Sequence, residues 1–189
     1  MMDAFSYLSV LLSIILGLAI TQVLQGYRAL LLARGRVRVS ASVLIWSVLI
    51  LLFAAQAWWA SFGLRDRSHW DFLSFAVILL QMILLYMLAA LVFPDIETSG
   101  TVDLNEHSDK YRRVFFGFLI AMLLTSVSKD LILDHRLPSP TNLGFHLLLI
   151  GFAIAGIVGR NHRLQVALAV ASAIGFLAYV ALLFAQLSN

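Results

Sequence analysis

At 189 residues, with 61% hydrophobic and only 12% charged side chains and a mean hydropathy of +0.94, the chain departs far from the roughly 45–50% apolar, 25% charged make-up of soluble domains. This excludes an ordinary water-soluble enzyme or binding module, and the length suits one compact domain. The net charge of +3 does not mark a nucleic-acid partner, because Lys and Arg sit at the ends of apolar segments and not along one face; the absence of cysteine excludes disulfides, thiolate metal sites and cysteine nucleophiles.

A helix that crosses about 30 Å of hydrocarbon needs about 20 residues. Six apolar segments meet that length: 4–32, 40–62, 70–93, 114–133, 141–159 and 164–187. The expected fold is an all-α integral membrane protein, a single bundle of six transmembrane helices that makes 1–189 one polytopic domain, with the lipid bilayer as its solvent.

The first segment follows Asp3 with no basic residue before it, and it runs too far for a cleaved signal, so it is expected to stay as a membrane helix. Along it Ser9, Ser13, Gly17, Thr21 and Gln25 recur every four residues, with Gln22 alongside. Such a ridge serves either as a close-packing seam or as one wall of a polar path, since polar side chains in membranes usually face the bundle interior. Arg28 lies about 36 Å along the helix from Ala4, at the interface, where it would snorkel and anchor depth. Arg34, Arg36 and Arg38 follow in the first connection.

The second segment carries Gln56, and Trp58, Trp59 and Trp70 flank the next connection, which contains Arg65 and Arg67. Amphipathic rings favour the headgroup level. The third segment has Gln81 near its middle. Each of these amides needs a hydrogen-bond partner in hydrocarbon, and Tyr86 and Tyr179 are candidates.

The longest connection, 94–113, is acidic through Asp95, Glu97, Asp103, Glu106 and Asp109, then basic through Lys110, Arg112 and Arg113. Its second half lacks helix breakers and is predicted to run as a helix into the fourth segment, with Asp103 as N-cap. Asp103, Glu106 and His107 share a face by spacing, but hard cations need more oxygen ligands than this face supplies, so it reads as a solvated segment or a surface for a cytoplasmic protein partner.

Lys129 and Asp130 are the least expected residues, because Lys129 lies roughly 22 Å into the slab, short of its far surface. A charge at the helix centre costs about 2.5–3.5 kcal/mol on insertion scales, less where the side chain snorkels. Adjacent residues diverge by about 100° on a helix, so the two do not face each other. Ser126, Asp130 and Asp134 form one i, i+4 face, which asks for a wet environment. After Pro138 and Pro140, Thr141 or Asn142 is expected to cap the fifth helix. His146, one turn in from the same end, is a candidate partner for Asp130 or Asp134, either as a structural histidine or as a proton relay.

Arg160 and Arg163 bound a connection so short that the last two helices must form an antiparallel hairpin. The small residues there, Gly151, Gly156, Gly159, Ala171 and Gly175 among them, suit close packing within the chain or in a homo-oligomer. Aligning Leu18 with Leu119 also pairs Arg28 with Lys129, a weak 3+3 inverted repeat of the kind used by many transporters.

The first, third and fifth connections hold most of the Lys and Arg, so the positive-inside rule places them in the cytoplasm, with both termini on the other side of a bacterial inner membrane. No HExxH, GxSxG, P-loop or dinucleotide fingerprint occurs, which weakens an enzyme assignment and implies no cofactor or metal. The leading expectation is a transporter or channel-like protein for an ion, proton or small polar solute. Its path would use Thr21, Gln22, Gln25, Gln56, Gln81, Ser126, Lys129, Asp130 and His146, with Asp130 and His146 at the outer mouth and Gln25 at the inner exit. The alternative is a non-catalytic subunit, sensor or assembly factor whose 94–113 loop binds a partner, and a third reading is an intramembrane enzyme built on Lys129, Asp130 and His146.

Overall fold

The computed structural model describes residues 4–65, 67, 70–95 and 101–187; Glu97 of the acidic connection lies outside them. It is an all-α bundle of six helices long and apolar enough to span a membrane: α1 (Ala4–Leu32), α2 (Ala41–Ser61), α3 (Phe72–Leu91), α4 (Leu104–Asp134), α5 (Pro140–Val158) and α6 (His162–Leu187). Each closes its own backbone hydrogen bonds, the condition for crossing hydrocarbon. Around the bundle the order is α1, α3, α4, α5, α6, α2 and back to α1, with α2 also reaching α3. The core is mostly aliphatic, with Leu49 and Ile50 of α2, Ile78, Leu85 and Leu88 of α3, Leu119 of α4 and Leu149 of α5 fully buried, and Trp46, Phe116 and Phe176 buried beside them. The exposed faces carry Leu18, Val48, Leu80, Leu124, Leu147 and Ile174, as expected where the surrounding solvent is lipid.

Polar residues set the helix ends. Asp71 caps α3 by accepting from the Ser74 backbone N–H at 2.8 Å, and the Ser74 hydroxyl adds a second bond that holds the Asp71 carboxyl below its ordinary range. Asp103 caps α4 as predicted, accepting from the Asn105 N–H at 2.8 Å, and α4 begins at Leu104, so the second half of the acidic connection does continue into the span. Its C-terminus stops at His135, which takes a left-handed conformation at φ 52°. The α5 cap differs from expectation: Ser139 accepts from the Asn142 N–H at 3.3 Å. Pro140 is the reason, since a proline suits the first helical turn and moves the cap to the residue before it.

A two-residue parallel bridge joins β1 (Val37–Arg38) to β2 (Val102–Asp103), with Arg38 and Asp103 also 3.5 Å apart as an ion pair. It ties the first and third connections together, and Gln165 closes the α5–α6 connection at the same end by donating to the carbonyls of Gly156 at 3.0 Å and Gly159 at 2.7 Å. The three predicted basic connections thus share one end of the bundle. The other end holds Arg67, whose side chain pairs with Asp134. A 3+3 repeat would ask α4 and α6 to lie together as α1 and α3 do; α4 instead packs between α3 and α5.

Candidate functional site

The end opposite the bridge contains a cavity of about 380 Å³ that receives side chains from all six helices. Its size falls at the lower end of the roughly 300–1,000 Å³ typical of small-molecule sites. Helical periodicity builds each wall. On α4 the i, i+4 face Ser126, Asp130 and Asp134 lines it together with Lys129; on α5 Asn142, His146 and Leu149 do; α3 contributes Gln81, α2 Gln56, and α6 Tyr179. Along α3 the lining reaches Leu85, about 20 Å from the helix start at Phe72. The innermost lining residues, Phe53, Leu85, Met122 and Leu149, are all apolar and form a floor.

Polar contacts inside the cavity are specific. His146 Nδ1 lies 2.8 Å from the Asn142 carbonyl oxygen, and because a carbonyl only accepts, Nδ1 carries the proton. This leaves Nε2 without a partner among the described residues. Tyr179 donates its hydroxyl to Asn142 Oδ1 at 3.3 Å and stacks on Phe145 with ring centroids 4.6 Å apart and planes 10° apart. The Gln81 amide oxygen is buried without a hydrogen-bond partner among the described residues. At the rim Arg67 pairs with Asp134, which remains 63% exposed. Lys129 and Asp130, by contrast, form no ion pair within 4 Å among the described residues. Their divergence by about 100° around the helix explains why neighbours in sequence do not come into ion-pair contact.

Six of the predicted path residues therefore converge: Gln56, Gln81, Ser126, Lys129, Asp130 and His146. The other three do not. Thr21 is exposed and donates to the Gly17 carbonyl at 2.7 Å, Gln25 is exposed, and Gln22 donates to the Tyr86 hydroxyl at 3.3 Å, away from the cavity. The whole Ser13, Gly17, Thr21, Gln25 ridge faces outward, while Leu8, Leu12, Leu16, Ala19 and Val23 face in. Of the two readings of the α1 ridge, the one that makes it a wall of an interior path is overturned. A hydroxyl bonded to its own helix backbone no longer needs an interior partner, and the branched apolar ridge fills core volume better. Gln25, assigned to the inner exit, does not line this cavity.

Sequence reasoning missed the contributions of Asn142, Phe145 and Arg67, whereas Tyr179, expected as a partner for the buried amides, lines the same cavity as Gln56 and Gln81. The i, i+4 relation of Asn142 to His146 was a usable signal; Arg67, in a connection without periodicity, offered none. No family model matches the chain, and no curated protein or solved structure matches it either.

Proposed function

We propose that the chain is a small membrane transporter or channel-like protein whose vestibule admits an ion, a proton or a small polar solute. The observation that carries this reading is the convergence of Lys129, Asp130, His146, Gln56 and Gln81 on one cavity within a bundle whose buried side chains are mostly apolar. Unpaired charge in a membrane is costly and marks substrate and ion paths when it faces a water-filled space. With the basic connections in the cytoplasm, the vestibule opens to the non-cytoplasmic side of a bacterial inner membrane. Asp130 and His146 receive the solute near the mouth, Gln56 and Gln81 hold it deeper, and Phe53, Leu85, Met122 and Leu149 separate it from the other side. Uptake into proteoliposomes should fall in Asp130→Asn and His146→Ala; flux equal to wild type in both would overturn the assignment.

The apolar floor favours a second reading, in which the protein senses a solute without passing it. Solute binding by the purified protein with no flux in sealed vesicles would select that reading. An accessory role predicts instead a stoichiometric partner that is lost when 94–109 is replaced by a neutral linker. The outward ridge of α1, with Gly17 open and Thr21 and Gln25 exposed, suits a second copy of the chain, and crosslinking through Cys at Gly17 tests that homo-oligomer.

A further inference from the structure

The cavity has a charge pattern that restricts its ligand further, and this inference rests on the solute-binding reading given above. Four formally charged side chains line it: Arg67, Lys129, Asp130 and Asp134. Arg67 and Asp134 are satisfied by each other at the rim. One cation and one carboxylate remain, Lys129 and Asp130, and neither has an ion-pair partner within 4 Å among the described residues. Both project from the last turns of α4, five and four residues before its end at Asp134, and thus about 6–8 Å along the axis from that end.

A ligand with a single charge would engage one of these groups and exclude water from the other. An unpaired charge deprived of water is strongly unfavourable. A neutral ligand would strand both. Only a solute that carries a cation and an anion a few ångströms apart satisfies the pair at once. The remaining lining agrees with such a solute: Gln56, Asn142 and Nε2 of His146 offer hydrogen-bonding groups, and the stacked Phe145–Tyr179 pair provides an apolar flank.

The geometry points to a small zwitterion of the amino-acid class as the ligand, its carboxylate on Lys129 and its ammonium on Asp130. Thermal unfolding of the full chain in detergent tests this with three probe sets: alanine, leucine and glutamine; their deaminated carboxylic acids; and their decarboxylated amines. At least one zwitterion should raise Tm at concentrations where its acid and its amine do not. The variants sharpen the assignment through ratios measured within each protein, which a general change in stability does not move. In Lys129→Gln the zwitterion should lose its advantage over its own decarboxylated amine, and in Asp130→Asn its advantage over its own deaminated acid, each by about tenfold or more in apparent affinity, the scale of one charged hydrogen bond. If acid or amine binds wild type as well as the parent zwitterion does, or if no member of the panel shifts Tm, the inference is overturned. Proton or ion flux that depends on Asp130 yet ignores every amino acid would sink the zwitterion while leaving the transport reading standing.

Discussion

Lys129 and Asp130 distinguish a poised binding pair from a structural ion pair through their coupling energy. The perturbation is the cycle Lys129→Met, Asp130→Asn and the double variant. The two charged groups lie more than 4 Å apart, and unit charges at 4 Å interact by about 1 kcal/mol in water and about 4 kcal/mol at an effective dielectric of about 20. Which limit applies depends on water. A cavity of about 380 Å³ has room for on the order of ten waters at about 30 Å³ each, and a vestibule that admits a polar solute puts the expected value near the lower limit. The expected coupling is about 1 kcal/mol or less, from reversible unfolding of the four proteins in mixed micelles. A coupling of about 3 kcal/mol or more would mean a dry, mutually dependent pair, whose separation is strongly destabilising. That result would refute the reasoning that these charges wait for a ligand.

Because the chain has no cysteine, single cysteines report exposure without background: Cys at Ser126 should react with an impermeant thiol reagent added at the cavity mouth, and Cys at Thr21 should stay protected by lipid, the reverse order counting against the placement of α1. At Gly156 an added Cβ would sit 2.5 Å from the Phe116 ring, itself enclosed by Trp46 and Phe115, so Gly156→Ala should lower stability by about 1–3 kcal/mol in denaturant titration. Asp71, outside the spans, has its carboxyl held below the ordinary value of 3.8 by the Ser74 hydroxyl and N–H. The contribution is therefore complete above 3.8 and disappears as pH falls through the lower folded value. Asp71→Ala should reduce Tm at neutral pH, with the difference from wild type closing in acid; a difference independent of pH would contradict the cap.

Much of this architecture is local in origin and was legible before any tertiary information. The α1 boundaries, 4–32, agree with the observed helix because hydropathy and helix length are properties of a contiguous segment. The extension of α4 back to Leu104 and its Asp103 cap were readable from an acidic, breaker-free stretch. The Ser126, Asp130, Asp134 face was readable because residues four apart on a helix lie together whatever surrounds them. The cap of α5 was misplaced by two or three residues, since Pro140 acts on the position before it.

What the residues alone determined, then, is how many rods cross, which connections share an end and which side chains lie on a common face of each rod. Only the assembled bundle decided where those faces point. The polar ridge of α1 faces out of the bundle while that of α4 turns to the cavity, although both obey the same four-residue spacing. The difference is set by hydrogen bonding and volume: Thr21 satisfies itself on its own helix, whereas carboxylates and ammonium groups have no such local solution and must find water, a partner or a ligand between helices. The ring order α1, α3, α4, α5, α6, α2 likewise depends on which side-chain surfaces fit together across space, and no periodicity along the chain encodes that fit.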